Sequence, residues 1–214
     1  MRYFTQSRFP RLWLLFQKTI GGTVDKQRLA VRAWKGEKRI LEVGCSVGNV
    51  SDAFRRFPDV QFTGVDIDRV VLEVAISRFA DCKGWRFLNV SLADLRNCGE
   101  TFDYILFAGI FHHVDDAVVR NLLADVQRII LPHTKIVIYD PVAPRSDDSF
   151  LVKLYYRLEE GRFLRQHTAL RHLIKESGLM IRKEEEDVPI APSIFRLPQV
   201  SRFSYFVACG QNPL

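Results

Sequence analysis

Apolar positions along the chain fall into two rhythms that alternate from residue 38 onward. Short β-rich runs are separated by stretches in which apolar side chains recur every three or four positions. Residues 39–43, 61–65, 85–90, 102–107 and 135–139 read as strands. The spacing predicts helices over 51–57, stopped by Pro58, and over 68–79, where Asp68 can cap a stripe of Val70, Val71, Val74 and Ala75. A further helix is expected over 115–130, ended by Pro132. Near-continuous apolar strands, each followed by a helix, imply a parallel sheet buried on both faces with right-handed crossovers.

The rhythm changes after Pro141. A loop rich in Pro, Ser and Asp covers 141–149, with helices expected over 150–160 and 168–177, the second stopped by Gly178. Residues 179–183 and 201–209 read as two final strands, a hairpin around the insertion 184–200. The expected fold is α/β: a Rossmann-like, doubly wound sheet of seven mostly parallel strands. The first 36 residues stand outside this pattern, mixing Trp13, Phe16 and Trp34 with Arg8, Arg11 and Lys18, and Gly21-Gly22 splits them into two helices. They read as a helical flap on the carboxyl edge of the sheet; basic residues beside Trp and Phe also suit a peripheral membrane contact.

Composition narrows the class. Of the 214 residues, 47% are apolar and 26% charged, which excludes a disordered tail, a collagen-like rod and a disulfide-stapled mini-protein. One domain over 1–214 is expected, with a lead-in at 1–36, a core at 37–140 and an acceptor-side part at 141–214. The richest apolar run spans only 12–16, far short of a membrane helix, and no secretory h-region opens the chain. Cys45, Cys82, Cys98 and Cys209 form no C-x-x-C pair and no zinc spacing, so reduced thiols in a cytoplasmic protein, with no metal, are the expectation. The net charge of +6 would suit an anionic partner, but the excess is small and reads as a weakly basic solvated surface rather than a nucleic-acid interface.

The sharpest chemical signal is Glu42-Val43-Gly44-Cys45-Ser46-Val47-Gly48, after a strand and before an expected helix. Ligands of open α/β sheets sit at the carboxyl ends of the strands. Gly44 and Gly48 let the backbone turn and approach a ligand closely. The helix that follows would offer N–H groups to a carboxylate, and Glu42 could meet an ammonium. Together they suit an amino-acid moiety. Two further signals follow: Asp66 in Gly64-Val65-Asp66-Ile67-Asp68, and Phe107-Ala108-Gly109-Ile110-Phe111-His112-His113.

The first motif resembles E/D-x-G-x-G-x-G of class I S-adenosylmethionine-dependent methyltransferases. Ser46 stands where that family most often has its middle glycine, and a small residue is accommodated there at negative φ. A nicotinamide dehydrogenase would carry G-x-G-x-x-G instead. The resemblance covers roughly residues 39–140 well and the flanks more loosely. It implies S-adenosylmethionine as cofactor, held by Glu42, Gly44, Cys45, Ser46 and Gly48. It also implies Asp66 on the ribose hydroxyls and Ile67 against the adenine. Ser91 and Leu92 occupy the position of the family's Asp-Ala pair on the adenine; Asp94 is either a substitute acid or a surface residue.

The segment at 107–116 resembles the L-H-H-x-x-D region of small-molecule methyltransferases, with small Ala108 beside the sulfonium. His112 is expected to face the substrate, as a general base or a structural residue, and His113 to be buried packing. Arg162 and Arg165 could meet an anionic acceptor group or simply flank a helix start. The N/D-P-P-Y/F motif of base and glutamine methylation is absent after the fourth strand. The expected function is methyl transfer to a small or lipid-like molecule, on oxygen. An RNA or protein methyltransferase is the alternative, with a nucleoside-binding protein and a nicotinamide oxidoreductase as further rivals.

Overall fold

The computed structural model describes residues 6–150, 152–153, 156, 161–193 and 201–211. Two helices lead in: α1 (Pro10–Thr19), with proline in its first turn, and α2 (Thr23–Val31), which starts from Gly22 at φ 70°. Then follow β1 (Arg39–Val43), β2 (Gln61–Val65), α3 (Arg69–Arg78), β3 (Trp85–Leu88), α4 (Leu92–Arg96) and β4 (Phe102–Ala108). The described chain continues with α5 (Asp116–Val126), β5 (Ile130–Pro141), α6 (His167–Glu176), β6 (Met180–Ile190) and β7 (Ser201–Cys209).

The sheet has seven strands in the order β3-β2-β1-β4-β5-β7-β6. The first five run parallel, and β7 lies antiparallel between β5 and β6. This is the expected doubly wound α/β sheet of seven mostly parallel strands. Strand alternation divides the core in two. Leu41, Ile105, Phe107, Ile136 and Ile138 meet Leu95, Val119, Leu123 and Leu173 of α4, α5 and α6. Ile40, Tyr104, Leu106 and Val137 meet Leu29 and Ala30 of α2 and Phe54 on the other face. Each such fully buried side chain contributes about 1.5–3 kcal/mol. Two buried tyrosines pin α2 as well: Tyr104 donates its hydroxyl to the Ala30 carbonyl at 2.6 Å and Tyr139 to that of Lys26 at 2.9 Å.

Several expected boundaries move. The helix foreseen over 51–57 is a single 3-10 turn, Ser51–Phe54, so no long helix aims its amino end at the glycine loop. The helix before Pro132 stops at Val126, and Pro132 lies inside β5, whose register with β4 shifts between Phe102 and Tyr104. β3 ends at Leu88 rather than Val90. β6 runs on to Ile190, which shortens the expected insertion to 191–200, and residues 194–200 lie outside those described. Of the helix expected over 150–160, Phe150, Val152, Lys153 and Tyr156 are helical and the rest lies outside the described residues. No helix among the described residues is long and apolar enough to cross a membrane.

Candidate active site

Strand order reverses between β1 and β4, and at such a reversal an open α/β sheet forms its ligand crevice outside the carboxyl ends of the strands. The loop 44–48 leaves β1 into it, Asp66 follows β2, and Gly109 follows β4. Local geometry explains the two loop glycines. Each has φ 71°, where an L side chain is strained. A Cβ on Gly44 would stand 2.8 Å from the Ile110 side chain, and one on Gly48 would stand 2.5 Å from the Phe79 ring. The loop is held by its backbone: the Gly44 and Cys45 amides donate to the Val65 carbonyl at 2.8 and 3.1 Å, and the Gly48 amide donates to that of Cys45 at 2.9 Å. Arg78 of α3 also donates to the Val47 carbonyl.

Ser46 stands at φ 51°, not at the negative φ expected of it. A left-handed non-glycine residue costs about 1–2 kcal/mol. Its amide is the compensation, donating to the Asp66 carboxylate at 2.8 Å. Asp66 accepts a second backbone bond from the Asp68 amide at 2.9 Å, while burial pushes its pKa up. The lead-in crosses this point: Gln6 donates to the Ser46 hydroxyl and Ser7 to Asp68. Ile67, 79% exposed, presents an apolar side chain beside Asp66.

Glu42 lies beneath the loop, on the β1 face that carries Ile40, and accepts from the Ser51 hydroxyl at 2.5 Å. Burial pushes its pKa up to about 8, with the Ser51 bond opposing. A buried carboxyl in this state gains from an incoming cation. Cys45 shares this inner layer. Its buried thiol packs on Gly64 and burial raises its pKa, so only its backbone reaches the crevice.

The end of β3 departs from expectation. Ser91 caps α4 in a reciprocal box with Asp94, its hydroxyl donating to the Asp94 carboxylate at 2.6 Å and accepting from the Asp94 amide at 3.2 Å. Asp94 is thus an exposed capping acid, and the Leu92 side chain is buried in the core. The Ser91 hydroxyl is thus taken up by the cap and the Leu92 side chain by the core.

Beyond β4 the chain makes a 3-10 turn, Phe111–His113. Here the expected burial is reversed: His112 is buried and His113 half-buried. The His112 ring sits between two glycines. A Cβ on Gly161 would run into it, and one on Gly109 would stand 3.6 Å from its Cε1. Half-buried Ala108 precedes Gly109. Nδ1 of His112 lies 3.1 Å from the Asp140 carboxylate, which also accepts the Phe111 amide at 3.1 Å. Asp140 was not singled out from the sequence; an acid near the end of an apolar strand, just before proline, was the available signal.

Arg165 does not reach toward an acceptor. Nε and Nη2 bind Asp116 at 2.8 and 2.7 Å, Nη1 donates to the carbonyls of Phe111 at 2.6 Å and Phe163 at 3.1 Å, and Nη2 donates to that of Val114 at 2.8 Å. The buried guanidinium clamps the turn that carries His112. Arg162, by contrast, is exposed. The four cysteines are free thiols, and no group of three His, Cys, Asp or Glu side chains is gathered for a metal among the described residues.

Residues 40–133 match the family model described as a methyltransferase domain. The ubiquinone/menaquinone biosynthesis C-methyltransferase UbiE of Desulfotalea psychrophila is 29% identical over 124 residues, 57% of this chain and 49% of that protein. The O-methyltransferase rstn1 of Aspergillus nomiae is 28% identical over 106 residues, 48% of this chain and 46% of that protein. The chain thus spans about half the length of the curated relatives it matches. The solved structure of the pyocyanin biosynthetic protein PhzM superposes with a TM-score of 0.74 at 16% identity, covering 98% of this chain and 62% of that one.

Proposed function

We propose, from the match of residues 40–133 to a methyltransferase domain and from the site above, that the protein transfers a methyl group from S-adenosylmethionine to the oxygen of a small or lipid-like acceptor. The residues fit the cofactor. The glycine loop presents backbone without a Cβ at Gly44 and Gly48, Asp66 offers a carboxylate with lone pairs beyond the Ser46 and Asp68 amides, and Ile67 offers an apolar surface. Glu42, protonated up to about pH 8, would ionise beside an ammonium.

The bound cofactor supplies a methyl group already activated by a sulfonium charge. What remains for the chain is alignment, exclusion of water and removal of the acceptor proton. His112 carries that last role. With Nδ1–H donated to Asp140, Nε2 is the basic nitrogen of that tautomer, and the carboxylate stabilises the imidazolium as the proton arrives. The buried His112–Asp140 pair at the ends of β4 and β5 is the observation that carries the oxygen reading. Arg165 positions this pair by holding the turn, and exposed Arg162 is the residue left to meet an acceptor group.

Calorimetric titration with S-adenosylmethionine, followed by a labelled-methyl assay on phenols, hydroxyquinones, amines and RNA, tests the reading. Cofactor binding with transfer to hydroxyl acceptors, lost in His112→Ala, is expected. Absence of cofactor binding overturns it, and transfer confined to RNA or to carbon replaces the acceptor assignment.

A further inference from the structure

The outer face of α1 has no partner among the described residues. Leu12, Leu15, Phe16 and Ile20 recur at helical spacing and are 60%, 59%, 42% and 47% exposed, and Phe9 just before the helix is 52% exposed. Such side chains scattered singly on a surface need no explanation, but five on one face of a short helix do. The opposite face is fixed inward. Gln17 is buried, its carbonyl accepts the Thr23 hydroxyl at 2.7 Å, and its side-chain oxygen accepts Lys26 Nζ at 3.1 Å. A side chain on Gly21 would run into Gln17, and one on Gly22 would run into Ile190. This locked corner leaves α1 no route to bury the apolar face by rotating.

Charge identifies the occupant. Residues 1–36 hold eight Lys and Arg against one acid, whereas the remainder of the chain holds 23 against 24. The entire positive excess of the protein is therefore carried by the lead-in. Arg11 and Lys18 on α1 are exposed and form no ion pair with a described residue, and Arg8 stacks over the Phe9 ring at 5.4 Å. An apolar face flanked by cations complements a surface that is apolar beneath an anionic layer. Nucleic acid would leave the leucines without a partner, and a second copy would bring two cationic rims together.

We propose that α1 docks the protein on an anionic lipid surface. The apolar side chains enter the headgroup boundary, and Arg11 and Lys18 meet the acidic headgroups. The protein lies on the bilayer by this helix. The proposal is independent of the catalytic reading, because none of these side chains belongs to the crevice.

Co-sedimentation of the full chain with vesicles tests it, using phosphatidylcholine alone and phosphatidylcholine mixed with phosphatidylserine in equal parts. Binding to the mixed vesicles, weakened by salt, is expected. Each basic residue near such a surface is worth roughly fivefold, so Arg11→Glu with Lys18→Glu should lower binding by about 25-fold or more. Leu12→Ser with Phe16→Ser should lower it by at least about tenfold. Melting temperatures of both variants should match the parent, because the replaced side chains are exposed. No binding to the mixed vesicles, equal binding to neutral ones, or indifference to both variants overturns the proposal. So does a concentration-dependent dimer that Leu12→Ser with Phe16→Ser dissolves, which would assign the face to a second copy.

Discussion

The two walls of the crevice are built by different means. On the β1–β2 side the loop 44–48 is shaped by positive-φ glycines and by amides bonded to the Val65 carbonyl and the Asp66 carboxylate. On the β4–β5 side a short turn is held by side chains from distant segments: Asp140 on the Phe111 amide and His112, and Arg165 on the carbonyls of Phe111, Val114 and Phe163. The first wall is a backbone device whose shape follows from a few consecutive residues. The second exists only once residues some 50 positions apart have met. One wall can therefore serve a constant ligand while the other changes with the acceptor.

The proposed function puts the proton transfer on the second wall, and His112→Ala tests that most severely. It should lower kcat by about 10²–10⁴-fold, the range for a positioned general base, with cofactor affinity near the parent value. His113→Ala should leave turnover within a few fold. Single-turnover assays on both decide, and loss of chemistry in the His113 variant alone would reverse the assignment. Next in size is Arg165→Ala. It strips partners from three carbonyls at ~1 kcal/mol each, so a loss of about 3 kcal/mol in urea unfolding is expected. In the folded fraction kcat should fall without a change in cofactor affinity, whereas equal damage to both would mean that the walls are coupled.

On the first wall, Asp66→Ala should weaken cofactor binding by about 1.5–3 kcal/mol, since it removes hydrogen bonds to a charged group and the anchor of the Ser46 amide. Unchanged calorimetric affinity in a folded variant would break the cofactor assignment. Glu42 makes this wall pH-dependent. Its pKa is raised from the usual 4.5 to about 8 in the folded protein, so the folded state holds the proton more tightly than the unfolded chain. Its contribution to stability is full at low pH and is lost as pH rises through that window. Glu42→Gln should flatten this slope and gain at least about 1 kcal/mol at pH near 9 relative to the parent. At neutral pH, cofactor binding should release a proton, visible as a dependence of calorimetric heat on buffer ionisation. The smallest effect belongs to Ser46→Gly. Relief of the left-handed strain, offset by greater freedom of the unfolded chain, leaves a net gain on the order of 0.5 kcal/mol, read as a small rise in Tm.

The same contrast explains what could be read from residues alone. The loop 44–48, Asp66 and the cap at Asp68 are local patterns, and each stands where the spacing placed it. Ser91 was placed by analogy with an acid-bearing pair, but the local chemistry of Ser-x-x-Asp is a helix cap, and that chemistry prevailed. Arg165 reads in the sequence either as a guanidinium for an anionic acceptor group or as a solvated cation flanking a helix start. Its guanidinium, bonded to Asp116 and to the carbonyls of Phe111, Val114 and Phe163, is a clamp instead.

Apolar periodicity and turn residues by themselves determined the succession of seven strands with their helices and the glycine loop, because these follow from forces between near neighbours in the chain. Tertiary structure alone decided which histidine is buried, what holds it, how β6 lengthens against β7 and where the cationic lead-in turns its apolar face. Each of those depends on which distant groups fill the remaining space and satisfy buried donors and acceptors, and pairings across tens of residues leave no periodic trace in a sequence.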